Sequence, residues 1–289
     1  MSNMIELIKV LRERTGAGMM DCKKALVENN EDIEKAIDWL REKGIAKAAK
    51  KAGRIAAEGL TSVKTSGNHA VVLEVNSETD FVAKSDAFLA LVNTTADTIL
   101  EKKPGCIKCA KEALEATYTE ATVKIGEKLE LRRFELLEKN ENQTFGGYIH
   151  MGGKISVLLL IDGKLTQEEA DNLAMHVAAN APLYISTEDI PAAEIERETA
   201  IQLEKAHSDE KLNGKPEEMI KKIIAGKVSK YFAESVLVEQ EYLMEPGVKV
   251  GAYLKSKGVK LVKMIRFMTG EGLAKKEENF AEEVAKQMA

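Results

Sequence analysis

Apolar residues recur at the helical period in the first stretch of the chain. Met4, Leu7, Ile8 and Leu11 repeat at i, i+3, i+4 and i+7, as do Ile33, Ala36, Ile37 and Leu40, so each set lines one face of a helix. Met19, Cys22 and Leu26 mark a shorter helix between them. Gly16 and Gly18 punctuate the first junction, Asn29 and Asn30 the second, and Gly44 after Arg41 and Lys43 reads as a C-terminal stop. A three-helix module is expected over residues 1–54, ending in a basic linker.

After Gly59 the pattern changes. Leu60 to Thr65 and His69 to Asn76 read as strands of a hairpin around Ser66-Gly67-Asn68. Ser85 can cap a helix carrying Phe88, Leu91, Val92, Ala96 and Ile99 as far as Pro104-Gly105. A second helix, Gly126 and a strand from Leu129 to Leu137 follow. Residues 55–140 thus form one α+β unit. Thr144 to Met151 and Lys154 to Asp162 are strands around Gly152-Gly153, a pair that tolerates positive φ in a tight turn. Thr166-Gln167-Glu168-Glu169 is a capping-box start for a helix carrying Ala170, Leu173, Ala174 and Val177 up to Pro182. A helix at Val250 to Leu254 and a strand from Val259 to Phe267 complete a second α+β unit, 141–190 with 232–268. Residues 191–231 read as an inserted helical hairpin, with Ile220, Ile223, Ile224 and Val228 lining one helix and Ile195 and Leu203 the other. A terminal helix, Lys276 to Met288 with Phe280 and Val284, belongs to a module over 269–289. The fold class is α+β with antiparallel strands.

Composition narrows the function. Lys plus Arg is 42 against 47 for Asp plus Glu, a net charge of −5, which argues against a protein that coats nucleic acid by neutralising phosphates. The strongest basic cluster, Arg41, Lys43, Lys47, Lys50, Lys51 and Arg54, faces a single acid, Glu42, and has no aromatic platform for stacking bases. It reads as a solvated helical linker, with a nucleic-acid-binding adaptor as the rival function. Three cysteines, Cys22, Cys106 and Cys109, do not make a disulfide framework and fit a reducing, cytoplasmic setting. Charges among the first fifteen residues argue against an export signal, and the longest apolar run, Ile155 to Ile161, is too short to span a bilayer as a helix, so no membrane association is expected.

Catalytic signatures fail one by one. There is no GxxxxGK[ST], Gly16-Ala17-Gly18 follows a helix rather than a strand, and the histidines His69, His150, His176 and His207 are isolated from one another and from any cysteine pair. His176 reads as structural. Cys106-Ile107-Lys108-Cys109 has redox spacing but lacks a βαβ context. The chain is expected not to be an enzyme and to need no cofactor or metal. What stands out is Asn76-Ser77-Glu78-Thr79-Asp80-Phe81-Val82-Ala83-Lys84, between a strand end and a helix start, where a large aromatic sits beside a carboxylate. Such a ring either packs back into the core or enters a partner, and the spacing leaves both open.

Arg12 to Leu26, with Thr15-Gly16-Ala17-Gly18-Met19-Met20-Asp21-Cys22-Lys23-Lys24, together with Thr79-Asp80-Phe81-Val82-Ala83-Lys84, resembles the elongation factor Ts family of bacterial translation. Ala48 to Gly53, Lys124-Ile125-Gly126-Glu127, Ala174 to Ala179 and Ile265-Arg266-Phe267 extend the resemblance, whereas the Cys106 region matches no motif of that family. The resemblance implies a guanine-nucleotide exchange factor that binds elongation factor Tu, both GDP-bound and nucleotide-free. It implies an N-terminal module similar to ubiquitin-associated domains, two core subdomains, the hairpin and a C-terminal helical module. It also implies that Thr79, Asp80, Phe81, Val82 and Ala83 form the loop that disturbs the partner's Mg²⁺ site, with the Phe81 ring as wedge. Asp80 either fixes the loop or pairs with the partner. Lys23 and its helix are implied to touch the partner's GTPase domain, and Ile125, Gly126 and His150 to grip its third domain, although Ile125 could equally be a core residue. The hairpin could pair with a second copy, giving a homodimer, or pack on its own chain.

Overall fold

A computed structural model describes residues 4–207 and 216–274. The expected helix Lys276 to Met288 lies outside the described residues, as do residues 208–215 within the expected hairpin. The fold is α+β, with two three-stranded antiparallel sheets ordered β1-β2-β3 and β4-β5-β6.

The chain divides into two units. Among the described residues, the first holds 4–137, 151–156 and 267–274. Its N-terminal module is α1 (Met4–Thr15), α2 (Met19–Glu28) and α3 (Ile33–Lys51). Leu11, Ala17, Cys22, Ala25, Leu26, Ala36 and Leu40 are buried at its centre, the residues set there by the helical period. Asn30 and Glu31 take the left-handed conformation that reverses the chain between α2 and α3.

Gly44 does not end α3, which continues to Lys51. A Cβ at Gly44 would stand 2.8 Å from Val123 Cγ2, so the missing side chain lets α3 pack closely on a later helix. A glycine required by a partner 79 positions away looks, along the chain, like a helix stop.

β1 (Glu58–Ser66) and β2 (His69–Ser77) pair antiparallel, from Ser66 with His69 to Glu58 with Ser77, around a two-residue Gly67-Asn68 turn. A single helical turn, α4 (Asp80–Ala83), follows where a loop was expected, then α5 (Asp86–Lys102), α6 (Ile107–Ile125) and β3 (Glu130–Glu138). Ser85 caps α5 as expected, its hydroxyl oxygen accepting from Phe88 N–H at 3.3 Å. Leu73, Val75, Phe88, Leu91, Ile99, Leu114 and Leu131 form the core between sheet and helices. A fully buried Phe88 or Leu73 contributes roughly 1.5–3 kcal/mol.

Glu74 on β2 is wholly buried. Its carboxylate accepts from Arg132 Nη1 at 3.0 Å, Arg133 Nε at 2.7 Å, Asn76 Nδ2 at 3.1 Å and Gly270 N–H at 2.8 Å. Burial alone would raise its pKa, but these donors outweigh burial and hold it below the usual value. Arg133 also lies over the Phe267 ring, 4.2 Å from its centroid, so one carboxylate fastens the stretch from Phe267 to Gly270 to the first sheet.

The second unit, 138–150 with 157–266, contains β4 (Gln143–His150), most of β5 (Ile155–Asp162), α7 (Gln167–Asn180), α8 (Ala192–His207), α9 (Glu217–Ala233), α10 (Val250–Ser256) and most of β6 (Lys260–Met268). The Thr166–Glu169 capping box at α7 is formed in both directions. His176 is fully buried, with Nε2 2.9 Å from Gln240 Oε1 and Nδ1 accepting from Leu243 N–H at 3.2 Å. Burial lowers its pKa, and the role is structural. In the hairpin Ile224, Val228 and Phe232 of α9 are buried, but on α8 the buried positions are Glu198 and Ala206. Ile195 and Leu203 face outward instead. Glu198 keeps a partner in Gln202, whose amide donates to it at 2.7 Å.

Gly44→Ala should lower the thermal midpoint, by a net loss of about 1 kcal/mol or more, despite alanine's better helix propensity. Adding Val123→Ala should restore most of it, because the two changes share one contact. Glu74 has a depressed pKa in the folded state, so its contribution is present above the unfolded pKa and is lost as pH falls through the folded one. The stability gap between the parent and Glu74→Gln, measured by urea unfolding, should therefore narrow from about pH 6 to about pH 3.

Candidate functional site

Thr79 is the N-cap of α4, its hydroxyl oxygen accepting from Val82 N–H at 3.3 Å. The turn has two faces. Ala83 is buried and Val82 leans on the core, which turns Asp80 and Phe81 outward. Phe81 is 82% exposed, the largest exposure among the described large apolar side chains. Of the two fates left open for this ring, the free chain does not bury it. Asp80 pairs with Lys84 Nζ at 2.7 Å, one turn away, and this hydrogen bond holds its carboxyl below the usual range.

The anchor of the turn is a residue the sequence did not single out. Glu127 Oε2 accepts from the backbone N–H groups of Glu78 and Thr79 at 3.0 Å each, and Oε1 accepts from the Thr79 hydroxyl at 2.6 Å. Three charge-assisted bonds on two consecutive residues leave the start of α4 little freedom. Glu78 answers in reverse, its Oε1 accepting from Lys128 N–H at 2.6 Å and pairing with Arg54 Nη1 at 3.3 Å. Glu127 belongs to the family-like stretch Lys124 to Glu127, but its partners lie 48 and 49 positions away, beyond the reach of any local pattern.

Glu127 follows two of the expected contact residues. Gly126 ends α6 in the left-handed conformation (φ 88°), exposed, with its carbonyl accepting from Lys51 Nζ. Ile125 is half-buried and packs on the core cluster. The structure thus brings Thr79 to Ala83 together with Ile125 and Gly126 through Glu127. It also commits Lys51 and Arg54 of the basic cluster to hydrogen bonds within the chain.

Lys23 is exposed on α2, beside the exposed Met19, Met20 and Val27, so that helix presents a mixed apolar and cationic face. In the second unit, His150 ends β4 half-buried, its ring stacked on Tyr148 with centroids 5.9 Å apart and Nδ1 3.4 Å from the Tyr148 hydroxyl. Arg266 Nε donates to Ala178 O at 3.4 Å, which joins two of the further matching stretches, Ala174 to Ala179 and Ile265 to Phe267.

Among the described residues no group of three or more His, Cys, Asp or Glu is arranged to hold a metal ion, and no helix is long and apolar enough to cross a membrane. The family model described as elongation factor TS matches residues 78–271, more than half of the chain and including the Glu78 to Ala83 turn and Glu127. The chain belongs to the elongation factor Ts family. It is a translation elongation factor by that membership, and the match begins at the residue that Glu127 ties down.

Glu127→Ala strands two backbone N–H groups and the Thr79 hydroxyl, and should cost about 2 kcal/mol of stability by denaturant unfolding. Amide hydrogen exchange should rise at Glu78 and Thr79 well before it rises in β2.

Proposed function

We propose that the chain is a guanine-nucleotide exchange factor that binds elongation factor Tu with GDP, disturbs its Mg²⁺ site and promotes replacement of GDP by GTP. The observation that carries the reading is the exposed Phe81 ring on a turn pinned by Glu127. An uncovered phenyl ring on an ordered backbone gains its solvent transfer free energy only when a partner takes it in.

The reaction breaks no covalent bond, so it needs neither base nor nucleophile. Exchange follows from binding the nucleotide-free partner more tightly than the nucleotide-bound one, and by linkage the returning nucleotide weakens the factor's own binding equally. Phe81 supplies the wedge, entering between helices of the partner's GTPase domain. Mg²⁺ demands near-ideal octahedral oxygen geometry, so a small displacement of its surroundings weakens it, and losing the ion unscreens the phosphates. Asp80 and Lys84 flank the wedge as a ready-made ion pair, which makes Asp80 a local brace before it is a partner contact.

In this reading Lys23 and the exposed face of α2 meet the GTPase domain, while Gly126, His150 and the exposed part of Ile125 grip the third domain. Neither nucleic acid nor membrane takes part, no cofactor is required, and the setting is the cytoplasm. A second copy would pair on the outward Ile195 and Leu203 of the hairpin.

The test is release of fluorescent GDP from loaded elongation factor Tu into excess unlabelled GDP, with and without Mg²⁺. Strong acceleration that shrinks when Mg²⁺ is already absent is expected; no acceleration at any concentration would overturn the reading. Phe81→Ala should lower exchange about tenfold to hundredfold, the equivalent of roughly 1.5–3 kcal/mol of lost burial, with an unchanged unfolding midpoint. Unchanged exchange at saturating factor would remove Phe81 from the role of wedge.

A further inference from the structure

The pair Cys106 and Cys109 lies apart from the Glu78 to Ala83 turn, at the opposite end of α6 from Gly126, and the proposed exchange reaction uses neither thiol. Cys106 is the extended N-cap of this 19-residue helix (φ −156°, ψ 160°), and its Sγ accepts from Cys109 N–H at 3.1 Å. Sulfur is a weak acceptor, and serine, threonine, aspartate or asparagine would cap better, so capping does not explain a cysteine here. Cys109 stands on the first turn of the same helix, three residues on, so both thiols sit at the N-terminal end of α6, where the Cys109 N–H reaches the Cys106 sulfur. Both side chains are exposed. The remaining cysteine is the opposite case. Cys22 is buried in the first module with its thiol directed to Ala17 O at 3.6 Å, and burial pushes its pKa up.

Electrostatics separates the two exposed thiols. No acid sits in the first turn of α6, the helix N-terminus favours negative charge, and Lys102, Lys103 and Lys108 surround the pair in sequence. Glu112 opposes this, but it lies 3.9 Å from the Lys108 ammonium. The Cys109 thiol and the Cys109 N–H both donate to Cys106 and hold its pKa below the usual thiol value, while Cys109, as donor, is pushed up. The two exposed thiols are therefore unequal, Cys106 the more acidic and Cys109 the less. A closed metal site would need more ligands, and among the described residues no third His, Cys, Asp or Glu completes a cluster with them.

We propose that Cys106 and Cys109 form a reversible dithiol–disulfide site that exchanges with low-molecular-weight anionic disulfides of the glutathione type. The Cys106 thiolate attacks one sulfur of the disulfide RSSR; the S–S bond breaks, RS⁻ leaves and takes a proton from water, and a mixed disulfide Cys106–S–SR remains. Cys109 gives its proton to water, its thiolate attacks the Cys106 sulfur, and the second RS⁻ leaves. Two cysteine thiols lose two electrons and one RSSR becomes two RSH; excess thiol drives the same steps backwards.

The test uses the full chain, reduced and then exposed to oxidised glutathione, quenched by alkylation and mapped by mass spectrometry. A loss of two hydrogens in the peptide holding Cys106 and Cys109 is expected, reversed by excess reduced glutathione, with Cys22 unmodified until the chain is unfolded. Cys109→Ser should accumulate a glutathione adduct on Cys106 about tenfold faster at neutral pH than Cys106→Ser accumulates one on Cys109. Absence of the intramolecular disulfide at every glutathione ratio would overturn the site. Equal adduct rates in the two variants, matching a short Cys-Ile-Lys-Cys peptide, would overturn the division of roles and with it the inference that the helix prepares the pair.

Discussion

The carboxylate of Glu127 receives three hydrogen bonds from Glu78 and Thr79, and the geometry of the site depends on them. A four-residue helix has almost no intrinsic stability, because nucleation fixes several dihedrals for a single backbone bond. Here the cost is met from outside the helix. Glu127 fixes the residues entering α4, Thr79 caps it, and Val82 and Ala83 hold its underside against the core, so Phe81 points outward because its neighbours are occupied.

α6 carries this arrangement into the rest of the first unit. Its C-terminal end delivers Gly126 and Glu127, its last turn receives α3 where Gly44 meets Val123, and Lys51 closes the gap by donating to Gly126 O. The buried Glu74 does comparable work at the sheet, where four donors share one carboxylate. In both places a single acidic side chain joins segments remote in sequence. Its desolvation is offset by the donors that converge on it.

Features governed by local rules were legible in the sequence. The apolar period located α1, α3, α5 and α7, and the caps at Ser85 and Thr166 appear where serine and threonine precede a helical stretch, because capping involves only the next three residues. Long-range contacts were not legible. Gly44 resembles a terminator until Val123 is known to lie against it, and Glu127 is one acid among many until its distant partners are in view. Ile195 and Leu203 were misplaced because the hairpin buries Ala206 and Glu198 instead, and a helix with apolar residues on more than one side does not announce which side its neighbour will take. Phe81 stood between: its position beside Asp80 was conspicuous, but its outward orientation required knowing that Val82 and Ala83 face in.

The Asp80–Lys84 pair that frames Phe81 also bears on solubility. A bare phenyl ring on a rigid support is an adhesive, and any flat apolar surface would gain by covering it. Two opposite charges on the same turn hold water around its rim, and a surface that approaches without answering those charges must strip that water at a loss. The pair thus discriminates by hydration: a cleft deep enough to take the ring and polar enough at its mouth to replace the lost water is admitted, and a second exposed ring of the same kind is not.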